Sequence, residues 1–403
     1  MGKGIGLLFE YETQKIVQIN STKVGVINRI IQLLIIGYIV CWVMIVEKGY
    51  QEIDTPVSAI TTKVKGIGFR NVSDNPSYGV LTWDTADYVV PPQENNAFFV
   101  ITNAVITPRQ SPGVCRESPD VRDARCKNDS DCQKASNLIT ASGMFTGKCL
   151  NYSKKFGLCE IRGWCPVEND SLPIKNEPLF PMVENYTVLI KNDIEFPKFR
   201  VKRRNVLDWS GKKFLYTCRF EANHQEKKYC PIITFKTIFK QINATKKLLY
   251  EGGVVAINIH WACNLDWNYK FCNPEYSFRR LDDENANIAK GLNFRFGHYY
   301  QINNTPHRDL VKAYGVRFLV FVTGKAGKFS VIPLTMNLGS GLALLGLASI
   351  LCDIIVLHLL GSKNVYQRAK YETVEQDEKL LNEIKTETTK TFLAPDNKIE
   401  LAM

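Results

Sequence analysis

The stretch FSVIPLTMNLGSGLALLGLASILCDIIVLHLL, Phe329 to Leu360, runs for 32 residues with one formal charge, Asp353. A bilayer core needs about 20 apolar residues of helix, so this segment spans a membrane with room to tilt. A core helix of a soluble domain would carry a polar face over such a length. A second uncharged run, Ile30 to Val46, lies toward the other end and has 17 residues. Val24, Val26 and Ile27 extend it upstream. Glu10, Glu12, Lys15 and Lys23 precede it and no small-residue cleavage site follows, which reads as an uncleaved signal anchor. Two spans put both termini on one side. The expected organisation is an N-terminal segment 1–29, a first span 30–46, a loop 47–328, a second span 329–360 and a tail 361–403.

Basic residues beside the spans do not decide which side holds the loop. Arg29, Lys363, Arg368 and Lys370 compete with Lys48, Lys325 and Lys328. Cysteine usage decides it. Of 12 cysteines, Cys41 and Cys352 lie in the spans. The loop holds Cys115, Cys126, Cys132, Cys149, Cys159, Cys165, Cys218, Cys230, Cys263 and Cys272. An even set confined to one compartment points to disulfides and an oxidising exterior. A zinc ribbon would need a C-x2-C pair, and the sequence has none. The loop also carries seven N-x-S/T sequons, at Asn71, Asn128, Asn151, Asn169, Asn185, Asn243 and Asn303. The loop is therefore expected outside the cell, with both termini cytoplasmic and the chain in the plasma membrane.

The 403 residues are 45% hydrophobic and 23% charged, which excludes a disordered, collagen-like or mostly lipid-embedded chain. The net charge is +11, and the loop alone carries 40 Lys and Arg against 29 Asp and Glu. A basic excess outside the cell serves neither nucleic acid nor cytosolic lipid. An extracellular anion fits it, since a basic cleft concentrates anions. A solvated basic surface is the plain alternative.

Strand-like runs dominate the loop: NAFFVITNAVIT (Asn96–Thr107), NYTVLIKN (Asn185–Asn192), GGVVAINIHWAC (Gly252–Cys263) and YGVRFLVFV (Tyr314–Val322). Residues 115–165 pack six cysteines among Asp, Lys, Ser and Gly, the mark of a small disulfide-stapled subdomain. The tail is polar, with a short helix expected over Asp377–Lys385.

Several motifs share one order: YETQK (Tyr11–Lys15), TKVKG (Thr62–Gly66), GWCPVE (Gly163–Glu168), YSFRRLD (Tyr276–Asp282), NFRF (Asn293–Phe296), GKAGKF (Gly324–Phe329) and YQRAK (Tyr366–Lys370). In these, in its topology and in its cysteine order, the chain resembles the P2X receptors, trimeric ATP-gated cation channels, over nearly its whole length. The fold so implied is two transmembrane helices flanking a mostly β, disulfide-bonded extracellular domain, assembled as a trimer. Implied partners are extracellular ATP as ligand, further copies of the chain or related subunits, and membrane lipid. No cofactor, nucleic acid or enzymatic turnover is expected.

A triphosphate needs several cationic donors converging on its oxygens. Lys63 and Lys65 stand two apart in a strand-like segment and share a face. Asn293 and Arg295 repeat the spacing, and Lys312 precedes another expected strand. Arg can fork onto phosphate oxygens, whereas Lys acts as a point charge. The resemblance implies that these five bind the phosphates, with Thr187 on the adenine edge and Leu215 on the sugar or base. It places the pocket between subunits, with Lys191 as a weaker contributor. It further implies the pairs Cys115–Cys165, Cys126–Cys149, Cys132–Cys159, Cys218–Cys230 and Cys263–Cys272. Met336, Ser340 and Ala343 fall on one helical face. The resemblance puts the closed gate near Met336, Asn337 and Ser340, with Ala343 at the constriction. Asp353 follows Met336 by roughly 25 Å of helix and is read as supporting subunit contacts.

Two positions depart from the family pattern: Leu319 and Ser330 stand where acids are usual. No Walker-type G-x4-G-K-[ST] loop occurs, and the five histidines form no close metal-ligand pair. The alternatives are a two-span ectonucleotidase, a scavenger-type receptor and a degenerin-type channel. The first would need Gly-rich phosphate loops with acidic catalytic residues, and the last a selectivity motif not seen here.

Overall fold

The computed structural model describes residues 21–72, 79–134, 140–168, 178–286, 288–359 and 364. YETQK, YQRAK, Asp377–Lys385 and Asn169 lie outside the described residues. The chain divides into two units, Met1–Gln51 with Ser330–Met403, and Glu52–Phe329.

The first unit contains helices α1 (Thr22–Val46) and α3 (Val331–His358). Helix α1 begins eight residues before the uncharged run because Val24, Val26 and Ile27 continue its apolar face. It closes with an i→i+5 bond from Glu47 N–H to Trp42 O, 3.0 Å. Gly341, Ala348 and Cys352 form the buried stripe of α3. A Cβ on Gly341 would sit 3.0 Å from Ile39 Cδ1, so the two helices meet where only hydrogen fits. Asn337, one turn before Gly341, donates from Nδ2 to Gly49 O at 2.6 Å. Ser330, at the start of α3, makes no side-chain cap, and its N–H donates to Tyr50 O at 3.1 Å.

The second unit is a sandwich of a nine-stranded and a four-stranded sheet. The strands that carry the argument are β1 (Val57–Lys65), β2 (Ala97–Arg116), β3 (Thr187–Phe196), β4 (Ile232–Thr234), β5 (Gly253–Asn264), β6 (Pro274–Arg280), β7 (Asn293–Ile302) and β8 (Thr305–Phe329). The smaller sheet places β3 between β1 and β4. In the larger one, β8 pairs with β5 in parallel and with β2 and β7 antiparallel. Strand alternation decides what faces inward. Val188, Ile190, Ile194 and Phe196 of β3 meet Val255, Ile257, Ile259 and Trp261 of β5 in one core. Trp261 Nε1 donates to Asn192 Oδ1 at 3.0 Å, which satisfies a fully buried amide and ring together.

Strand β8 runs unbroken for 25 residues, so Lys312 lies inside the strand that the sequence reading begins only at Tyr314. A register shift at Tyr314/Gly315 lets it continue past β2. Glycine is required there, since a Cβ would lie 2.1 Å from Val100 O. Residues 111–165 form a side sheet stapled by Cys115–Cys165, Cys126–Cys149 and Cys132–Cys159, and Cys218–Cys230 and Cys263–Cys272 close two further loops. Asn71, Asn128, Asn151, Asn185, Asn243 and Asn303 are all exposed.

Candidate functional site

Because the even-numbered residues of β3 fill the core, Thr187, Leu189 and Lys191 face outward. Register then assembles a surface across three strands. Lys65 pairs with Thr187, which pairs with Thr234. Lys63 pairs with Leu189, which pairs with Ile232. Thr61 pairs with Lys191. Directly opposed residues share a face, so three lysines, three threonines and two aliphatic side chains lie in adjacent rows. Lys63 and Lys65 are exposed, while Val64 between them is buried. Lys191 is pinned by Asp193 at 3.5 Å. The rows suit a ligand with an anionic end over the lysines and a flat, partly polar end over Thr187, Leu189 and Ile232. No motif in the sequence marks Leu189 or Ile232. Strand alternation from Thr187 reaches Leu189, but only cross-strand register reaches Ile232.

A second cluster forms on the larger sheet. Strands β7 and β8 make a hairpin whose turn residues, Asn303 and Asn304, have φ of 48° and 61°. A two-residue loop with both φ positive fixes the hairpin register. Counting back from it sets Arg295 opposite Lys312 and Asn293 opposite Tyr314. The Asn-Asn pair was the signal for this arrangement. Two cations side by side require a counter-charge, and Glu168 supplies it. Its carboxylate accepts from Arg295 Nε at 2.6 Å and Nη2 at 2.9 Å, and lies 3.7 Å from Lys312 Nζ. The Glu168 and Lys312 side chains are only 15% and 10% exposed, so the pair is poorly screened. Cys115–Cys165 anchors the segment that carries Glu168, and Gln110 Nε2 donates to Pro166 O at 2.6 Å. Glu168 ends the GWCPVE motif, the one sequence signal that bears on it.

Lys63, Lys65 and Thr187 thus come together on one sheet, and Asn293, Arg295 and Lys312 on the other. Leu215 sits half-buried on α2 (Lys212–Thr217). Cys218–Cys230 and a Phe220 N–H to Ile232 O bond of 2.9 Å tie that helix to β4. Met336, Ser340 and Ala343 are exposed along α3, whereas Asn337 turns to Gly49. Leu319 is half-buried between Ala97 and Ala256. The sulfurs of Cys126, Cys132 and Cys149 lie within 4.8 Å of one another, but each is in a disulfide and offers no thiolate to a metal.

The family model of the ATP P2X receptor matches residues 9–373. The chain belongs to the P2X receptor family. It is 44% identical over 375 residues to P2X purinoceptor 4 of Bos taurus, covering 92% of this chain and 95% of that protein. With P2X purinoceptor 5 of Mus musculus it shares 43% over 375 residues, covering 91% and 80%. The crystal structure of an invertebrate P2X receptor from the Gulf Coast tick, in the presence of ATP and Zn2+, superposes with a TM-score of 0.75 at 43% identity. That match covers 82% of this chain and all of the other. P2X receptors are trimeric ligand-gated channels of the plasma membrane with two transmembrane helices, and they are not enzymes.

Proposed function

We propose that this chain is one subunit of a trimeric plasma-membrane channel that opens to Na+, K+ and Ca2+ when extracellular ATP binds. The observation that carries the reading is continuity. Strand β8 holds Lys312 in the anion-binding cluster and ends at Phe329, directly before α3. The distance along the strand is roughly 55 Å at about 3.3 Å per residue. An event at Lys312 therefore reaches the pore helix through one element.

ATP bridges two subunits. Lys63, Lys65, Thr187, Leu189 and Ile232 of one subunit take the phosphates and base, with Leu215 against the sugar. Asn293, Arg295 and Lys312 of the neighbour complete the phosphate cage. ATP is a ligand and is not turned over, and no cofactor takes part. Binding favours the arrangement in which the two sheets close on the nucleotide, and the population shifts toward it. In the closed state Met336, Ser340 and Ala343 of three α3 helices narrow the path. Assembly is homotrimeric, or heterotrimeric with related subunits, with both termini cytoplasmic. Ser330 removes an acid near the outer mouth, so calcium carries a smaller share of current than in relatives with an acid there.

Whole-cell recording under extracellular ATP tests this. Expected is an ATP-evoked cation current whose half-maximal ATP concentration rises at least tenfold in Lys63→Ala and in Lys312→Ala. Each removes a charge-assisted contact of about 1.5–3 kcal/mol. Surface trimers silent at every dose, or potency unchanged in both variants, overturn the reading.

A further inference from the structure

Strands β5 and β8 run parallel and in register from Gly253/Val316 to Asn264/Gly327. Whatever leaves β5 therefore emerges at the end of the sheet where β8 leads into α3. What leaves is a short loop closed by Cys263–Cys272. It is fastened to the last residues of β8: Leu265 N–H donates to Gly327 O at 2.8 Å, and Phe329 N–H to Asp266 Oδ1 at 2.5 Å. Three aromatic residues stand on it in the open, Trp267 at 73% exposure, Tyr269 at 49% and Phe271 at 77%. Trp267 and Tyr269 line a groove of about 330 Å³ with Leu265 and Lys328. Lys270 is exposed between Tyr269 and Phe271.

Single exposed apolar residues are ordinary on protein surfaces. Three aromatics on one disulfide-closed loop, with two lysines beside them, are not scattered. Trp and Tyr concentrate where a membrane meets water, because the ring prefers the acyl boundary and its polar tip stays wet. Position supports this partner. Only Ser330 separates Phe329 from the first residue of α3, a reach of about 7 Å. The headgroup layer is about 5–8 Å thick on each side of the bilayer core. A loop bonded to Phe329 is thus tethered by the chain within two residues of the start of α3.

We propose that the Cys263–Cys272 loop is a membrane-interface anchor, bedding Trp267, Tyr269 and Phe271 in the outer leaflet with Lys270 and Lys328 on lipid phosphates. It ties the end of the sheet that drives α3 to the bilayer surface. The occupant of the groove is outer-leaflet phospholipid, not a second copy of the chain.

The test is tryptophan quenching in the full-length trimer, reconstituted in phosphatidylcholine brominated near the top of the acyl chains or left unbrominated. Trp42 lies in α1 and is quenched regardless. The wild-type signal minus that of Trp267→Phe isolates the loop. Expected is a Trp267 component lost in brominated lipid and insensitive to aqueous iodide. Quenching by iodide without bromine means a solvated loop, and quenching by neither means a face covered by protein. Either result overturns the proposal. If Trp267→Phe fails to assemble, Phe271→Trp gives the same reading as a gained component. The readout uses no ATP current, so its failure is separate from failure of the channel assignment.

Discussion

Glu168 holds Arg295 in a two-point grip, 2.6 and 2.9 Å, while standing 3.7 Å from Lys312. In the proposed site the carboxylate stands where phosphate oxygens would bind, so ATP would have to displace an internal anion. Neutralising Glu168 takes that anion away from the two cations. Glu168→Gln is expected to lower the half-maximal ATP concentration roughly fivefold, because a partly exposed pair is worth about 1 kcal/mol. The measurement is a dose–response curve on surface-matched cells. An unchanged or raised value shows that Glu168 serves folding of its segment and not competition.

The rows on β3 separate two kinds of contact. In the proposed site Lys63 and Lys65 would answer phosphate charge, while Leu189 and Ile232 offer apolar area beside Thr187. Leu189→Ala removes about three methylene equivalents from a half-buried face, or about 1–2 kcal/mol of binding. ATP potency is expected to fall about tenfold. Inorganic triphosphate, which has no base, is expected to compete equally well with ATP at wild type and variant once each ATP potency is allowed for. Equal weakening of triphosphate would place Leu189 under the phosphates.

Much of this was legible in the residues, and the limits have physical causes. The spans and the extracellular loop follow from local composition, because charge in a bilayer core is costly. The exposure of Lys63 and Lys65 follows from strand alternation around Val64. Lys312 falls before the expected strand because the unbroken run of β-branched and aromatic residues starts only at Tyr314, whereas hairpin pairing with Asn293–Ile302 carries the strand back to Thr305. The partnership of Arg295 and Lys312 is readable from Asn303–Asn304, which set the hairpin register, although the same residues also belong to a sequon. Glu168 lies 127 residues from Arg295, and no local rule spans that separation. The disulfide pairs match those the family implies, yet spacing alone allows many alternatives.

Asp282 closes the end of β6 by accepting Val254 N–H at 2.8 Å and Arg280 Nη2 at 2.8 Å. Burial pushes its carboxyl up, but the Arg280 hydrogen bond, Val254 N–H and the Arg280 charge outweigh this and hold it below the ordinary carboxylate value. A depressed folded-state pKa gives stability that is full above the unfolded value of about 3.9 and is lost as pH falls through the folded one. Thermal unfolding of the purified trimer should show Asp282→Asn below wild type by a constant margin above roughly pH 5, with the margin closing below about pH 4. A margin that stays constant down to pH 3 would assign the effect to lost hydrogen bonds alone.

The seam between α1 and α3 is built on small residues. Gly341 faces Ile39, whose Cδ1 lies 3.0 Å from where a Cβ would stand, whereas Gly346 has open space around that position. Asn337, on the same stripe, already bonds Gly49 O. Gly341→Val is expected to overpack the seam at a cost of about 1–3 kcal/mol, reducing surface trimer and current together. Gly346→Ala meets nothing in its own chain and serves as the control. Equal loss in both would point to contacts between subunits rather than within one.

The two halves of the nucleotide site lie on different sheets, which makes a complementation experiment decisive for the proposed arrangement. In a trimer of mixed subunits, Lys65→Ala spoils only the pocket face that its own chain lends through β1. Arg295→Ala spoils only the face lent through β7. Where an Arg295→Ala subunit gives its intact Lys65 face to the intact Arg295 face of a Lys65→Ala neighbour, one wild-type pocket is restored. Co-expression of the two variants is therefore expected to recover a component of near wild-type ATP potency that neither shows alone. If each chain built its pocket from its own residues, every pocket in the mixture would carry one defect and no such component would emerge. The dose–response curve of co-expressing cells distinguishes the cases, and concatenated trimers of fixed order show which neighbour supplies each face.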